Sequence, residues 1–234
     1  MALYAGTSGY SYKEWKGTFY PDKLPAEEML HYYATQLPAV EINNTFYRLP
    51  RASVVDAWAQ QVPDDFRFVI KASRRITHFK RLRDTRDETE YLLRTISGLG
   101  DRLGVVLFQL PPNLKKDVER LEDFLDELPK GTRAAFEFRH DTWRDDDVYE
   151  LLRGRNLALC VADNEGDTMP ELVRTADWGY LRLRRPNYRK PQLSAWIERV
   201  RAQDWKEAYV FFKHEDGNAG PAMARRFLEL AEQA

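Results

Sequence analysis

The sequence predicts a single-domain α/β protein, a closed (β/α)8 TIM barrel whose parallel sheet is surrounded by helices. Three observations carry that expectation. Eight short apolar segments alternate with helices or loops along the whole chain, and such alternation implies a parallel sheet. No linker, low-complexity tract or change of composition divides the 234 residues, so residues 1–234 read as one unit. Eight strands in a chain of this length match a closed barrel. A doubly wound open sheet is the alternative, but the first turn lacks its glycine fingerprint.

Residues 3–6 read as the first strand. It runs into a loop rich in glycine and aromatics, from Gly6 to Pro21, too polar for a core helix. Residues 25–37 follow a helical pattern with Met29, Leu30, Tyr33 and Leu37 on one side. In the second strand, 39–43, Val40 and Ile42 face one way and Glu41 and Asn43 the other, because successive side chains alternate. A helix over 52–61 stops before Val62-Pro63. The third strand, 66–71, leads into a basic segment, and the helix at 84–98 has acids in its first turn, as the helix dipole favours. Residues 103–110 are a nearly unbroken apolar run, expected of a strand buried on both faces, closed by Pro111-Pro112. Next come a helix at 117–128, strand five at 134–139, a helix at 145–154 and strand six at 157–163. A variable stretch precedes strand seven at 178–184; a helix at 192–203, strand eight at 208–213 and a helix at 221–231 complete the pattern.

Composition sets outer limits. With 43% hydrophobic and 31% charged residues the chain is neither disordered nor fibrous. The one cysteine, Cys160, excludes an internal disulfide framework and suits a reducing cytoplasm; lying between Leu159 and Val161, it reads as a small core residue rather than a nucleophile. Met1-Ala2-Leu3-Tyr4 runs almost directly into a strand, so no signal peptide is expected. No apolar run reaches membrane-spanning length, so no membrane partner is expected. The formal charge of −1 requires any polyanion contact to come from local patches. Nothing in the sequence sets an oligomeric state.

Candidate site residues emerge where charge interrupts the strands. In Ala135-Phe136-Glu137-Phe138-Arg139 the two phenylalanines share one face, leaving Glu137 and Arg139 on the other. Inward charges are costly unless paired or used, yet the same feature recurs at nearly every strand end. Glu41, Asn43, Lys71, Gln109, Glu137, Arg139, Asp163, Arg182, Arg184 and Lys213 all have inward parity there. His140 and His214 lie one residue beyond or on the opposite parity. The strand C-termini form the working face of such barrels. Glu41, Glu137 and Asp163 are therefore candidates for acid/base chemistry of hydrolase or lyase type, for Glu137 or Asp163 on condition that burial raises its pKa. Lys71, Arg139, His140, Arg182, Lys213, Asn43, Gln109 and Tyr10 are candidate ligand contacts. Lys71 is also a Schiff-base candidate if desolvated.

Three acids (Glu41, Glu137, Asp163) face five bases (Lys71, Arg139, Arg182, Arg184, Lys213), an excess that a small anion with a phosphate or carboxylate would offset. Pairing of Glu137 with Arg139 would weaken that count. The alternative is a non-catalytic scaffold whose mouth is a structural ion-pair network. A second ligand class is nucleic acid, through Arg74, Arg75, Lys80 and Arg81 after strand three and Arg184 and Arg189 after strand seven. Tyr188 and the first-loop aromatics Tyr10, Tyr12, Trp15, Phe19 and Tyr20 would then supply stacking surfaces. A metal held by Glu137, Asp163 and His214 is disfavoured by neighbouring cations and the lack of paired-histidine spacing. No cofactor is expected, as neither a P-loop nor a dinucleotide fingerprint is present.

These motifs resemble the YecE-like family, a bacterial and archaeal group classed as a domain of unknown function. The matching stretches are Gly6-Thr7-Ser8-Gly9-Tyr10-Ser11-Tyr12 through Tyr20-Pro21, Val40-Glu41-Ile42-Asn43-Asn44-Thr45-Phe46-Tyr47, Lys71-Ala72-Ser73-Arg74-Arg75-Ile76-Thr77-His78, Leu107-Phe108-Gln109-Leu110-Pro111-Pro112, and Phe136-Glu137-Phe138-Arg139-His140 with Trp143. The resemblance spans essentially the whole chain and implies a TIM barrel with no established reaction. It departs in the last third. Phe212-Lys213-His214-Glu215-Asp216 stands where the family often has a run of asparagines, and Leu183-Arg184-Arg185-Pro186 where it often has His-Gly. The family barrel has been likened to DNA-repair endonucleases, whose histidine-rich metal set is not visible in this sequence.

Overall fold

A computed structural model describes residues 1–164, 169–213 and 219–233. Eight parallel strands close in sequence order, β1 pairing with β8 to complete the barrel. They are β1 (Ala2–Ser8), β2 (Ala39–Ile42), β3 (Arg67–Lys71), β4 (Leu103–Gln109), β5 (Ala134–Glu137), β6 (Ala158–Asp163), β7 (Trp178–Leu183) and β8 (Glu207–Phe212). Outside them lie α1 (Met29–Ala34), α2 (Ala52–Gln60), α3 (Arg86–Ile96), α4 (Val118–Glu127), α5 (Asp146–Arg153), α6 (Lys190–Arg201) and α7 (Ala219–Gln233). Among the described residues no helix bridges β6 and β7, and no helix is long and apolar enough to cross a membrane.

Strand alternation divides the core in two. Side chains of one parity, including Val69, Val105, Leu107, Ala135, Cys160, Tyr180, Tyr209 and Phe211, fill the barrel interior. The other parity, including Val40, Phe68, Ile70, Phe108, Phe136 and Phe212, meets the helices. Cys160 is buried within the interior set, and burial pushes its thiol well up, as expected of a core residue. At the N-terminal end the interior is aromatic: Tyr4 stacks on Tyr209 at 5.0 Å, with the Trp178 ring edge-on to Tyr209.

Local chemistry explains the boundaries. Asp117 and Asp145 cap α4 and α5 by accepting backbone N–H bonds from Arg120 and Asp147, satisfying donors that a helix start leaves open. Gly6 allows β1 to approach β2: a Cβ there would fall 1.9 Å from the Ala39 carbonyl oxygen. Three differences from the sequence-based elements bear on the site. The first strand runs on to Ser8 and brings that hydroxyl to the mouth. The fifth stops at Glu137, and Arg139 beyond it donates to the Glu137 carboxylate. The basic segment after β3 forms a π-helical turn, Arg75–Phe79, that buries Ile76 and Thr77.

Candidate functional site

The C-terminal end of the barrel carries a ring of polar side chains. Its inward parity gives Ser8 from β1, Glu41 from β2, Lys71 from β3, Gln109 from β4, Glu137 from β5 and Arg182 from β7, all buried. Arg182 is the hub. Its two terminal nitrogens donate to Glu41 Oε1 at 2.8 Å and Glu137 Oε2 at 2.7 Å. Glu41 also accepts from Ser8 at 2.8 Å, Asn43 at 3.0 Å and the Tyr180 hydroxyl at 2.6 Å. Glu137 accepts from Gln109 Nε2 at 2.8 Å and from the half-exposed Arg139 Nε at 3.1 Å.

These contacts decide the protonation states. Burial alone would raise both carboxyl pKa values. For Glu137 the Arg182 and Arg139 charges and the Gln109 bond outweigh it and hold the carboxyl at about 2. Glu41 is likewise lowered, by Arg182, Tyr180, Lys71 and Ser8. Arg182 is pushed up despite burial by the same two carboxylates. The condition under which Glu137 would be a general acid is therefore not met, and both glutamates stay ionised at neutral pH.

Lys71 behaves differently. It is 9% exposed, and among the described residues its ammonium has no hydrogen bond or ion pair; its Nζ lies 4.3 Å from the Phe46 ring centre. Burial and Arg182 lower its pKa to about 8, against the opposing pull of Glu41 and Glu137. Arg184, one step beyond Arg182 on the same parity, is half-buried and has no ion pair among the described residues; burial and Arg182 lower it too. His78 packs edge-on against Phe46 at 4.8 Å, with Nδ1 2.9 Å from the Thr77 hydroxyl. Burial together with Lys71, Arg139 and Arg81 lowers His78 to about 4, so it is neutral at pH 7.

Several expected positions fall elsewhere. Asp163 has outward parity: Ala158 and Cys160 of β6 point into the barrel, and Asp163 accepts from Arg185 at 2.9 Å, Tyr188 at 2.8 Å and Trp196 at 3.3 Å, on the helix side. The inward assignment of Asp163 is corrected, and it does not meet Glu41 or Glu137. His140 caps a short 3-10 turn, its Nδ1 accepting from the Thr142 backbone N–H at 3.2 Å. Tyr10 packs beside Tyr33 in the outer cluster. Lys213, one residue past β8, keeps the inward parity of Tyr209 and Phe211 and interacts with other groups. His214, weighed as a metal ligand, lies outside the described residues. Among those that are described, no group of three His, Cys, Asp or Glu is placed to hold a metal ion.

The basic–aromatic pattern also changes in three dimensions. Trp15, Phe19, Tyr20 and Tyr188 are buried, so their faces are not available for stacking. Arg75 and Lys80 both bind Glu88, at 2.7 and 2.8 Å, and Arg83 lies 3.7 Å from Asp117. Arg81 is half-buried, whereas Arg189 is exposed at the start of α6. Arg74 is exposed and lies over two exposed rings, Tyr47 at 5.4 Å and Phe79 at 5.2 Å. Ser8, Tyr180 and Phe46 are the site residues that charge-based reading missed. For Tyr180 the signal was present: it lies two residues before Arg182 on the same strand face.

Comparison with known proteins places this arrangement in a family. A family model described as "Protein of unknown function DUF72" matches residues 4–234. The UPF0759 protein YecE of Escherichia coli K12 is 38% identical over 112 residues, covering 47% of this chain and 41% of YecE, so the match spans less than half of that relative. The UPF0759 protein YunF of Bacillus subtilis 168 is 23% identical over 228 residues, 91% of this chain and 78% of YunF. A crystal structure of a DUF72 family protein from Thermotoga maritima superposes with a TM-score of 0.87 at 29% identity, covering 99% of this chain and 100% of that one. One from Enterococcus faecalis gives 0.83 at 19%, covering 99% and 96%. The chain belongs to the DUF72 family, the YecE-like TIM-barrel proteins of unknown function.

Proposed function

We propose that the barrel mouth binds a small anion bearing a carboxylate or phosphate. The carrying observation is the pair of cations, Lys71 and Arg184, that have no carboxylate partner among the described residues beside a ring whose two carboxylates are already engaged. Among the described residues, Glu41 and Glu137 face Arg182, Arg139, Lys71 and Arg184, an excess of cation that an anion would offset. Arg184 offers a planar fork and Lys71 a point charge, a combination suited to an oxyanion. Asn43 adds a buried Oδ1 with no donor among the described residues, which a ligand hydroxyl would satisfy. Acid/base work on the bound ligand belongs to Lys71 or His78 rather than the ionised glutamates.

The test is thermal stabilisation by inorganic phosphate and short carboxylates on the wild type and Arg184→Ala. An anion at about one hundred times its dissociation constant stabilises by roughly 2.7 kcal/mol. The expected result is a rise in melting temperature that Arg184→Ala reduces. No shift with any anion sinks the proposal and favours the scaffold reading, in which the mouth is an ion-pair network alone.

A further inference from the structure

We infer that Lys71 is an amine nucleophile that forms an imine with a small carbonyl compound bearing a carboxylate or phosphate, the anionic group being held by Arg184 and Arg139. The inference rests on the anion-site reading above and adds a covalent step to it. Lys71 stands at the end of β3, where its side chain enters the mouth. Its backbone is fixed by the buried Thr45 hydroxyl, which donates to the Lys71 carbonyl at 2.7 Å. Its amine is placed over the Phe46 ring at 4.3 Å. No carboxylate within ion-pairing distance, among the described residues, holds the ammonium in its charged form.

Amines attack carbonyls only when neutral, and lysines are activated by desolvation or by a neighbouring cation. Both conditions act here. Burial and Arg182 bring Lys71 to about 8, so about a tenth of it is neutral at pH 7, against on the order of one part in three thousand for an ordinary lysine. Arg139 adds to the lowering, while Glu41 and Glu137 oppose it. His78, packed on the same Phe46 ring, is neutral and adds no charge. In the step itself the amine nitrogen bonds to the carbonyl carbon, the C–O π bond opens to a carbinolamine, and both amine protons leave with the oxygen as water. No redox partner is required. Cys160, a buried thiol, lies within the interior core and is kept protonated.

The experiment treats the full chain with glyoxylate, a minimal aldehyde carboxylate, and cyanoborohydride, which reduces an imine to a stable amine. Adducts are then mapped by peptide mass. The expected result is one adduct per chain on Lys71, formed at least about tenfold faster than on the exposed Lys23 or Lys130, slowed by inorganic phosphate and absent from Lys71→Arg. Because the mapping is done on wild-type protein, it does not depend on the variant folding. Adducts spread over surface lysines without enrichment at Lys71 overturn the inference. If phosphate still raises the melting temperature in that case, the anion-site reading survives without the nucleophile; if it does not, both fail.

Discussion

Arg182 and Lys71 occupy the same ring at the barrel mouth, 2% and 9% exposed, and meet opposite surroundings. Arg182 is clamped between Glu41 and Glu137, whose remaining lone pairs are taken by Ser8, Asn43, Tyr180, Gln109 and Arg139. Lys71 has an aromatic ring and nearby cations instead. Buried charge is costly in both places, but among the described residues only the first is matched by direct ion pairs; Lys71 feels Glu41 and Glu137 at longer range. The difference teaches that pairing, more than burial, separates the half of the ring whose charges are matched by carboxylates from the half whose cations are left without an ion pair among the described residues.

The comparison breaks most readily at Glu137. Glu137→Ala leaves Arg182 with one partner and a cavity beside Gln109, so a loss of about 3–5 kcal/mol in urea unfolding is expected. Glu137→Gln, which retains the shape and one acceptor, should lose less. A loss under about 1 kcal/mol for the alanine variant would mean that water solvates Arg182 and that the paired half is not structural.

Lys71→Met should do the reverse. Methionine matches the lysine stem in length and removes the charge that lies over Phe46. The fall from 10.5 to about 8 corresponds to a folded-state penalty on the order of 3 kcal/mol, so the unliganded variant should be more stable than wild type by up to that amount at neutral pH. The pH dependence has a definite sign. Between about 8 and 10.5 the unfolded chain retains a proton on Lys71 that the folded chain has released, so the wild type gains stability from this group as pH rises. The advantage of Lys71→Met is thus full below about 8 and gone above 10.5. A gap that does not narrow over that window would show Lys71 to be paired in solution. The same variant should lose the stabilisation that phosphate gives the wild type.

A smaller effect is expected on the outer wall. Asp163→Asn removes the charge that Arg185, Tyr188 and Trp196 share, at an expected cost of about 1–3 kcal/mol. It should leave anion binding at the mouth unchanged, because the side chain lies on the other side of the strand. Weakened anion binding would return Asp163 to the site.

How much of this was legible in the sequence follows from what strand period and charge can report. All eight strands were readable, since each is a short apolar run bounded by turns or helix starts. Glu41, Lys71, Gln109, Glu137 and Arg182 were readable as inward because each lies an even number of residues from an interior apolar side chain. Asp163 failed because the β6 run Leu157-Ala158-Leu159-Cys160-Val161 is apolar on both faces, so nothing in it marks which parity is inside. Pairing was legible only within a strand: Glu137 and Arg139, two apart on one face, do pair, whereas Arg182 bridging Glu41 and Glu137 across a closed barrel is a matter of tertiary distance. The burial of Trp15 and Tyr188 was hidden for the same reason, since a loop aromatic has no periodicity.

The nucleic-acid reading gives the smallest expected effects, and Arg74 is where it can be tried. Its guanidinium stacks on Tyr47 and Phe79 at the rim, an exposed cation–π arrangement worth about 0.5–1 kcal/mol, so Arg74→Ala should cost little stability. With Arg75, Lys80 and Arg83 next to acids, few cations of this segment remain to release counterions. A single-stranded oligonucleotide followed by fluorescence anisotropy should therefore bind weakly, with log K falling against log salt at a slope no steeper than about −2. A slope well beyond that, reduced by Arg74→Ala and unaffected by Lys71→Met, would move the functional surface from the unpaired half of the ring to the rim. Phosphate binding should instead follow Lys71 and Arg184 and ignore Arg74. The two variants therefore separate a ligand held in the mouth from a strand lying across it.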